Sequence, residues 1–346
     1  MKTWTEHVRA GRMLDAEDIR AVVWELLSPD RSNDEAADFL EALHRRGETP
    51  SEVASFAACF LAQAEPFPVS RDLGVLIDVC GTGGDKLGLF NVSTAVMFVA
   101  AGAGARVVKH GNRRVTSQSG GADVLEVLGV PADLGEDRLR AMLEEAGAVF
   151  LFAPRFHPSF KNLAAARQLL AARGSASVFN MLGPLLNPAQ PQRQLTGVFS
   201  PHLLDVYGDV LPLLGRERAW VVHGSDGANG AMDEISTSGP TMVLELSGKS
   251  GRRRTLDPAS MGVDRARVED LRGGDAAENA RILHGILSGD GMRAARDIVL
   301  VNSAAALLVA GVADDWIEAF ARATESLDSG AARRTLDVMR RVAGAG

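Results

Sequence analysis

The chain has 346 residues, of which 46% are hydrophobic and 23% charged. This balance is typical of a globular protein that buries enough apolar surface to offset its chain entropy, so it excludes a disordered chain. The net charge of −7 and the 5% of aromatic residues disfavour nucleic-acid binding, because the field repels phosphates and few rings could stack on bases. The length predicts one large domain with a smaller partner.

Cysteine content and hydropathy indicate where the protein works. Cys59 and Cys80 are too few for a disulfide framework or a cysteine zinc site, which fits a reducing compartment. Residues 1–12 are charged and lack the apolar core of a secretory signal. The most apolar stretch is interrupted by Asn302 and Ser303 and is shorter than the roughly 20 apolar residues of a membrane span. We expect a cytoplasmic protein with no membrane partner.

Residues 1–66 predict a small helical domain of three helices. Asp15 is a suitable N-cap for the first, and Gly47 is a suitable stop for the second. The third has the clearest start, because Thr49 is followed by a proline at the first helical position and by a reciprocal Glu52. Two prolines shortly after this helix mark the end of the domain.

From Val75 onwards, short apolar runs alternate with helical stretches, as expected of a sheet with crossover helices. The predicted fold class is α/β, with a small helical domain beside a large α/β domain whose central, mostly parallel or mixed sheet is flanked by helices. The basic run Arg252–Arg254 is predicted to be an exposed turn. The predicted strands are 75–79, 105–108, 148–152, 195–199, 219–222 and 241–246. The predicted helices are 92–103, 122–128, 136–146, 158–172, 202–214 and one starting after Asp275.

A glycine-rich loop, Gly81–Asp85, follows the first predicted strand and leads through Asn91 and Ser93 into an apolar helix. Glycines let the backbone approach a ligand, and the N–H groups of the turn and helix start then point at anionic oxygens. Lys86 stands where the third glycine of a dinucleotide-binding loop would be, and no Walker lysine closes the loop. A tight connection is the alternative interpretation. Asp85 and Ser93 would supply hard oxygen ligands beside a magnesium-bound phosphate.

Two further polar segments follow later strands. Lys109–Arg114 ends the second predicted strand, and both loops should emerge at the same edge of the sheet. A solvated basic patch is the alternative, but the neighbouring glycine loop favours an anion site. The adjacent Asp233 and Glu234 follow a glycine-rich turn, and such carboxylates usually face water. Beside a polyphosphate they would instead bind magnesium, which prefers a few carboxylates plus substrate oxygens.

Together these segments resemble the anthranilate phosphoribosyltransferases of tryptophan biosynthesis. The resemblance runs nearly end to end. It implies that residues 1–66 are completed by a segment around 162–190 to form the helical domain, and that 67–161 and 191–346 form an α/β domain of the nucleoside phosphorylase type II kind. It also implies a homodimer through the helical domain. The matching motifs are Gly81–Asp85, Asn91–Thr94, Lys109–Arg113, Phe179–Pro188, Asp233–Ser236 and Gly273–Asn279.

The resemblance also implies the site residues. Lys109 and His110 would be catalytic, with Lys109 on the diphosphate and His110 orienting anthranilate. Two Mg²⁺ ions per active site would be served by Ser93, Asp233 and Glu234. The anthranilate-binding residues would be Gly81, His110, Asn112 and Arg167. The residues binding phosphoribosyl diphosphate would be Gly81, Gly84, Asp85, Asn91, Val92, Ser93, Thr94, Lys109, His110, Gly111, Asn112, Arg113 and Ser117.

The chain departs from the usual family pattern in four places. Leu89 replaces a small hydroxyl residue, and Gly121 replaces a serine near the phosphates. The segments 172–178 and 224–231 are longer than usual. These differences bear on substrate affinity more than on the reaction class.

The expected reaction is displacement of diphosphate from ribose C1 by the amine of anthranilate, giving N-(5-phosphoribosyl)anthranilate. An aryl amine is neutral at pH 7 and already nucleophilic, so stabilising the leaving group should supply most of the catalysis. Two alternatives stay open at this point. One is a pyrimidine-nucleoside phosphorylase-like enzyme, which phosphorolysis of thymidine or uridine would reveal. The other is a non-catalytic relative that binds nucleic acid, which the acidic net charge disfavours.

Overall fold

A computed structural model describes residues 1–113 and 119–344 of the chain. Residues 1–66 contain four helices rather than the predicted three. The additional one is the short α1, in which only Thr5 and Val8 are buried, so the hydrophobic pattern hardly reveals it. The helices are α1 (Lys2–Arg9), α2 (Ala16–Leu27), α3 (Asn33–Arg46) and α4 (Pro50–Ala62).

The predicted helix caps are confirmed. The side chain of Asp15 accepts hydrogen bonds from the backbone N–H groups of Glu17 and Asp18. Thr49 and Glu52 form a complete capping box with the proline at the first position. Glu52 is fully buried and also accepts a 2.8 Å hydrogen bond from the backbone N–H of Leu14, so this cap ties two helices together.

The α/β region alternates strands and helices as predicted. Its strands are β1 (Leu76–Gly81), β2 (Arg106–Gly111), β3 (Ala148–Phe152), β4 (Arg193–Gly197), β5 (Arg218–Ser225), β6 (Ala231–Met232), β7 (Thr241–Ser247) and β8 (Ser250–Leu256). Its helices are α5 (Val92–Gly102), α6 (Gly121–Val127), α7 (Glu136–Ala146), α8 (Ala153–Phe156), α9 (Ala164–Ala172), α10 (Phe179–Leu182), α11 (His202–Leu213), α12 (Ala276–Ser288), α13 (Arg293–Ala310), α14 (Trp316–Asp328) and α15 (Ala331–Ala343).

In the described parts of the chain, the strands form one mixed sheet in the order β3-β2-β1-β4-β5-β7-β8, with β6 paired to β5. The pairs from β3 to β5 are parallel, and β7 and β8 continue antiparallel. From β1 the chain proceeds outwards through β2 and β3, and then returns to place β4 on the other side of β1. Such a reversal of strand order opens a crevice at the carboxyl ends of the strands, where α/β proteins bind ligands.

The prediction of an exposed turn at Arg252–Arg254 is wrong. These residues lie in β8, which pairs with β7 along its whole length. The arginines could be placed in a strand because β8 is at the edge of the sheet, where one face is exposed. Arg254 lies over the ring of Trp220 at 4.6 Å, and Arg253 pairs with Asp205.

Two other features differ from the predicted elements. The predicted helix 158–172 begins as a 3₁₀ helix, Pro158–Leu163, and becomes α-helical only in α9. The C-terminal region forms the unpredicted helices α13 to α15, of which α13 is the most buried. None of the helices described by the structure is both long and apolar enough to cross a bilayer.

The buried apolar residues described by the structure form two clusters. One surrounds α5 and α13. The other joins the N-terminal helices to the segment from Leu163 to Leu186, and extends through α11 to the sheet. This packing supports the proposal that a middle segment completes the helical domain, although the boundaries 1–66, 162–190, 67–161 and 191–346 stay predictions.

Candidate active site

The glycine loop after β1 and the acidic pair Asp233–Glu234 are in direct contact. The backbone N–H of Gly83 donates a 2.7 Å hydrogen bond to Oδ2 of Asp233. A Cβ at Gly81 would lie 2.5 Å from the same oxygen, and one at Gly197 would lie 1.5 Å from the backbone oxygen of Asp233. Glycine is therefore required at 197 so that the acidic segment can pack against the end of β4, and at 81 a larger residue would push the Asp233 side chain aside.

Three carboxylates crowd this junction. Burial and the nearby Asp85 raise the pKa of Asp233 to about 7, although the Gly83 N–H opposes the shift. Burial, followed by repulsion from Asp233, raises the pKa of Glu234 well above its ordinary value. Burial also raises the pKa of Asp85. The site thus holds carboxyl groups whose ionisation burial and their mutual proximity disfavour.

Lys109 is a buried cation whose charge acts on this group. It lies within β2 rather than in the following loop, and its side chain is 5% exposed. Its Nζ donates to the backbone oxygen of Val79 at 2.6 Å and to Oγ of Ser93 at 3.0 Å. Its charge opposes the rise in the pKa of Glu234, and the nearby backbone of Ser93 opposes it as well. Lys109, Ser93 and the acidic pair therefore form one cluster.

Asn91 holds the start of α5 beside this cluster. Its Nδ2 donates to the backbone oxygen of Ser119, and its Oδ1 accepts from Nδ2 of Asn279 at 2.8 Å. Oδ1 of Asn279 in turn accepts from the backbone N–H of Gly274. The motif Gly273–Asn279 thus acts on the site through Asn91. Val92 and Thr94, in the first turn of α5, are buried.

His110 follows Lys109 and has a neutral imidazole. Burial lowers the pKa of His110 to about 3, the adjacent His157 and Lys109 add to this effect, and a contact with the Gly183 backbone opposes it. Nε2 of His110 is buried and has no hydrogen-bond partner among the described residues. It is therefore a buried ring nitrogen without a partner in the part of the chain that the structure describes, near the carboxyl end of β2.

A row of rings leads from His110 towards the helical region. His110 and His157 have centroids 5.3 Å apart, and the row continues through Phe160 to Phe179 at 5.5 and 5.8 Å. The guanidinium of Arg167 lies over the Phe179 ring at 5.5 Å. The predicted residue Arg167 is thus connected to His110 by an aromatic wall, and more than a third of it is exposed.

Other predicted residues are less directly engaged. Arg113 makes two hydrogen bonds of 2.5 Å with the carboxylate of Glu126, so its cation is already paired. Gly111 ends β2, where a Cβ would lie 2.8 Å from the Phe150 ring. Asn112 is exposed, as is Gly84, which has a φ of +128°. Ser117, and with it the end of the basic loop, lies outside the described residues.

The structure explains two of the departures from the family pattern. Leu89 packs against the large apolar cluster and pairs with Arg272. At Gly121 a Cβ would lie 3.2 Å from both the Phe150 ring and Oγ1 of Thr94, so the space that a serine would need is already filled. The longer segment 224–231 forms the turn between β5 and β6.

Two residues near the site, Asp78 and Asn187, were not among the predicted site residues. Asp78 is fully buried in β1 and accepts hydrogen bonds from Nδ2 of Asn187 at 2.8 Å and the backbone N–H of His110 at 3.4 Å. Asn187 also donates to the backbone oxygen of Val108. Burial raises the pKa of Asp78, and the nearby Lys109 opposes this shift. A carboxylate inside an apolar strand was the available signal for this network.

The chain matches two family models. Residues 73–333 match the α/β domain of a glycosyl transferase family, and residues 2–64 match the helical bundle domain of a glycosyl transferase family.

Individual relatives extend over nearly the whole chain. The anthranilate phosphoribosyltransferase of Methanosphaerula palustris is 45% identical, covering 96% of this chain and 95% of the relative. The crystal structure of that enzyme from Thermus thermophilus is 37% identical with a TM-score of 0.89, covering 99% of both chains. The Saccharomyces cerevisiae enzyme in complex with PRPP and Mg is 26% identical with a TM-score of 0.87, covering 99% of this chain and 98% of that one. The chain belongs to the anthranilate phosphoribosyltransferase family.

Proposed function

We propose that the protein transfers the 5-phosphoribosyl group from phosphoribosyl diphosphate to the amine of anthranilate, releasing diphosphate, as a step of tryptophan biosynthesis. The observation that carries this proposal is the contact of three segments at one edge of the sheet. Gly83 donates a hydrogen bond to Asp233, Lys109 donates one to Ser93, and Lys109 and the Ser93 backbone both oppose the rise in the pKa of Glu234. An anion-binding turn, a cation and paired acids in contact suit a sugar carrying a diphosphate.

The donors present fit magnesium. Asp233, Glu234 and Ser93 offer hard oxygen atoms, and a bound cation would lower the pKa values of the two carboxylates, which burial and neighbouring carboxylates raise. Magnesium prefers a few carboxylates plus substrate oxygens, so the diphosphate would supply the rest of its shell. We propose that Ser93, Asp233 and Glu234 hold two Mg²⁺ ions, which supply charge stabilisation on the diphosphate.

This chain's own residues then bind and orient the reactants. Lys109 and the amides of Gly81–Gly84 stabilise the departing negative charge, together with the start of α5 at Asn91–Thr94. A ring oxygen that shares positive charge favours a dissociative transition state, so no strong base is required. His110 is neutral and orients the acceptor, and its free Nε2 can accept a proton from the amine late in the reaction.

The proposed anthranilate site is formed by Arg167 and the row of rings that runs from His110 to Phe179. The aromatic side chains between Phe179 and His110 provide an apolar wall for a benzoate ring. Arg167 provides a guanidinium fork that matches a carboxylate bidentately. Gly81 and Asn112 would complete this site from the β1 and β2 loops.

The direct test follows the loss of anthranilate fluorescence when the purified protein is incubated with phosphoribosyl diphosphate and Mg²⁺. The double change Asp233→Ala/Glu234→Ala should cut turnover far more than it changes anthranilate binding. The double change Glu144→Ala/Glu145→Ala, on the exposed face of α7, removes an adjacent acidic pair far along the chain and should leave turnover unchanged. Turnover of thymidine or uridine with phosphate, and none of anthranilate, would contradict the proposal.

We also propose a homodimer formed through the helical domain. A cavity of about 310 Å³ opens between α2 and α4, lined by side chains that include Val23, Trp24 and Cys59. Trp24 is 65% exposed at this mainly apolar surface, which a second copy would cover. Light scattering should give twice the chain mass, and Trp24→Glu should give monomers. The matched change Ile317→Glu, at a residue 82% exposed on α14, should leave the dimer intact.

A cytoplasmic location completes the proposal. Both cysteines are free thiols, and burial raises the pKa of each, so they suit a reducing compartment. Cell fractionation with a tagged chain tests this location, and recovery in the membrane or external fraction would contradict it.

A further inference from the structure

Asn302 is a buried amide in α13, a helix that is buried over most of its length. It lies in the middle of α13, where every residue from Ile298 to Ala310 is buried, and it is 1% exposed itself. A polar side chain in such a place destabilises the protein unless its hydrogen bonds are made. The partners of Asn302 therefore indicate its role.

The amide of Asn302 pairs with the backbone of Ile235 as a neighbouring strand would. Its Nδ2 donates to the Ile235 carbonyl oxygen at 2.9 Å, and its Oδ1 accepts from the Ile235 N–H at 2.9 Å. The second amide hydrogen goes to the carbonyl oxygen of Ile298, one turn earlier in α13, at 2.8 Å. Both N–H bonds of the side chain are thus used, and both polar groups of a buried residue next to Glu234 are satisfied.

The opposite side of the acidic segment is held by glycines. A Cβ at Gly224 would lie 2.5 Å from the backbone oxygen of Glu234, and Gly197 is similarly close to the backbone of Asp233. The segment Asp233–Ile235 is therefore held between strand ends on one side and α13 on the other. Asn302 and Glu234 also line the same small internal void.

We propose that Asn302 is a positioning residue for the acidic pair: its two hydrogen bonds to Ile235 fix the backbone from which Asp233 and Glu234 reach the metal and diphosphate. The proposal rests on the proposed function and adds a residue that touches neither substrate nor metal. A leucine would fill the same volume as the neighbouring apolar residues do. It would leave the N–H and C=O of Ile235 buried without partners, and the backbone that carries Asp233 and Glu234 would no longer be held in place.

The test measures metal binding directly, without turnover. Mn²⁺ is added stepwise to the enzyme in the presence of phosphoribosyl diphosphate and without an acceptor. Electron paramagnetic resonance measures the Mn²⁺ that remains free. Asn302→Leu should weaken Mn²⁺ binding about tenfold or more, as loss of a residue supporting a metal ligand typically does. Asn302→Ser keeps one small polar group and should disturb folding less. It should weaken Mn²⁺ binding by a smaller factor. The KM for anthranilate should stay unchanged in both.

Two matched variants separate positioning from general stability. Leu307→Ala opens a cavity in the same helix at a fully buried residue, so it should lower the melting temperature while Mn²⁺ affinity stays at the wild-type value. Ser303→Ala removes an adjacent buried hydroxyl that has no partner among the described residues, and should change neither property for the worse. Equal Mn²⁺ affinity in the wild type and both Asn302 variants would overturn the role of Asn302. Failure of the wild type to bind Mn²⁺ with phosphoribosyl diphosphate would contradict the proposed function itself, and this role with it.

Discussion

The backbone N–H of Gly83 and Oδ2 of Asp233 form a hydrogen bond of 2.7 Å between residues 150 positions apart. One donor of the glycine loop is therefore engaged by a protein carboxylate. A diphosphate that took this N–H would displace Asp233, which would then be free to bind the metal. The same contact joins the glycine loop to the acidic segment.

The electrostatics of Asp233 predict a pH-dependent stability. Its folded pKa of about 7 lies above the ordinary 3.8, so its contribution is fully present below pH 3.8 and is lost as pH rises through 7. Without substrate and with a chelator present, Asp233→Asn should be more stable than wild type at pH 8, on the order of 2 kcal/mol, and no more stable at pH 4. Urea unfolding at pH 4, 6 and 8 measures this difference. A difference that does not change with pH would contradict the assignment.

Gly197 lies so close to the backbone of Asp233 that adding one methyl group at residue 197 should lower turnover. Gly197→Ala places a Cβ 1.5 Å from the Asp233 carbonyl oxygen, so the acidic segment must shift. A displacement of about 1 Å can lower turnover by about 100-fold. Gly135→Ala is the control, since a Cβ there meets nothing within 4 Å. Steady-state turnover measures both variants, and a Gly197→Ala enzyme as active as the control would refute the packing argument.

The sequence predicted those parts of the fold that depend on local chemistry. The Thr49–Glu52 capping box and the strand–loop–helix from β1 to α5 follow from short patterns whose physical causes lie within a few residues. The prediction of a turn at Arg252–Arg254 was wrong because this strand depends on a partner strand, which a local sequence pattern does not reveal. A strand at the sheet edge tolerates charged residues, and only the partner strand β7 shows that this segment is a strand.

In the candidate site, too, the sequence predicted the residues but not the contacts between them. Gly81–Asp85 and Asp233–Glu234 could be named from their residue types, but their contact depends on the return of β4 to the side of β1. Asn302 looked like an interruption of an apolar stretch, because its partner Ile235 lies 67 residues away. Contacts between residues so far apart in the chain produce no local sequence pattern, so a single sequence does not predict them.

The buried Glu52 predicts a large effect on stability. Its carboxylate accepts from the backbone N–H groups of Leu14 and Thr49 and pairs with Arg46. Burial alone would raise the pKa of Glu52, but Arg46 and these backbone donors outweigh it and lower the pKa below 4.5. Its contribution is thus present at neutral pH and lost on acidification. Glu52→Ala should lower the free energy of unfolding by about 3 kcal/mol at pH 7, because it leaves a buried arginine and N–H groups unpaired. Glu17→Ala, at an exposed residue of α2, should change it by less than about 0.5 kcal/mol in urea unfolding.

The state of His110 predicts how the reaction rate depends on pH. Because burial holds the pKa of His110 at about 3, its imidazole stays neutral from pH 5 to 9. The loss of kcat/KM for anthranilate in His110→Gln should therefore be the same factor across this range, about 10- to 100-fold for an orienting and proton-accepting group. A charged imidazole would instead make the wild type lose its advantage as pH falls through 6 to 7, because a protonated Nε2 cannot accept a hydrogen bond from the amine. Parallel pH profiles of the two enzymes distinguish these cases, and convergence of the profiles at acidic pH would show that His110 titrates in the working range.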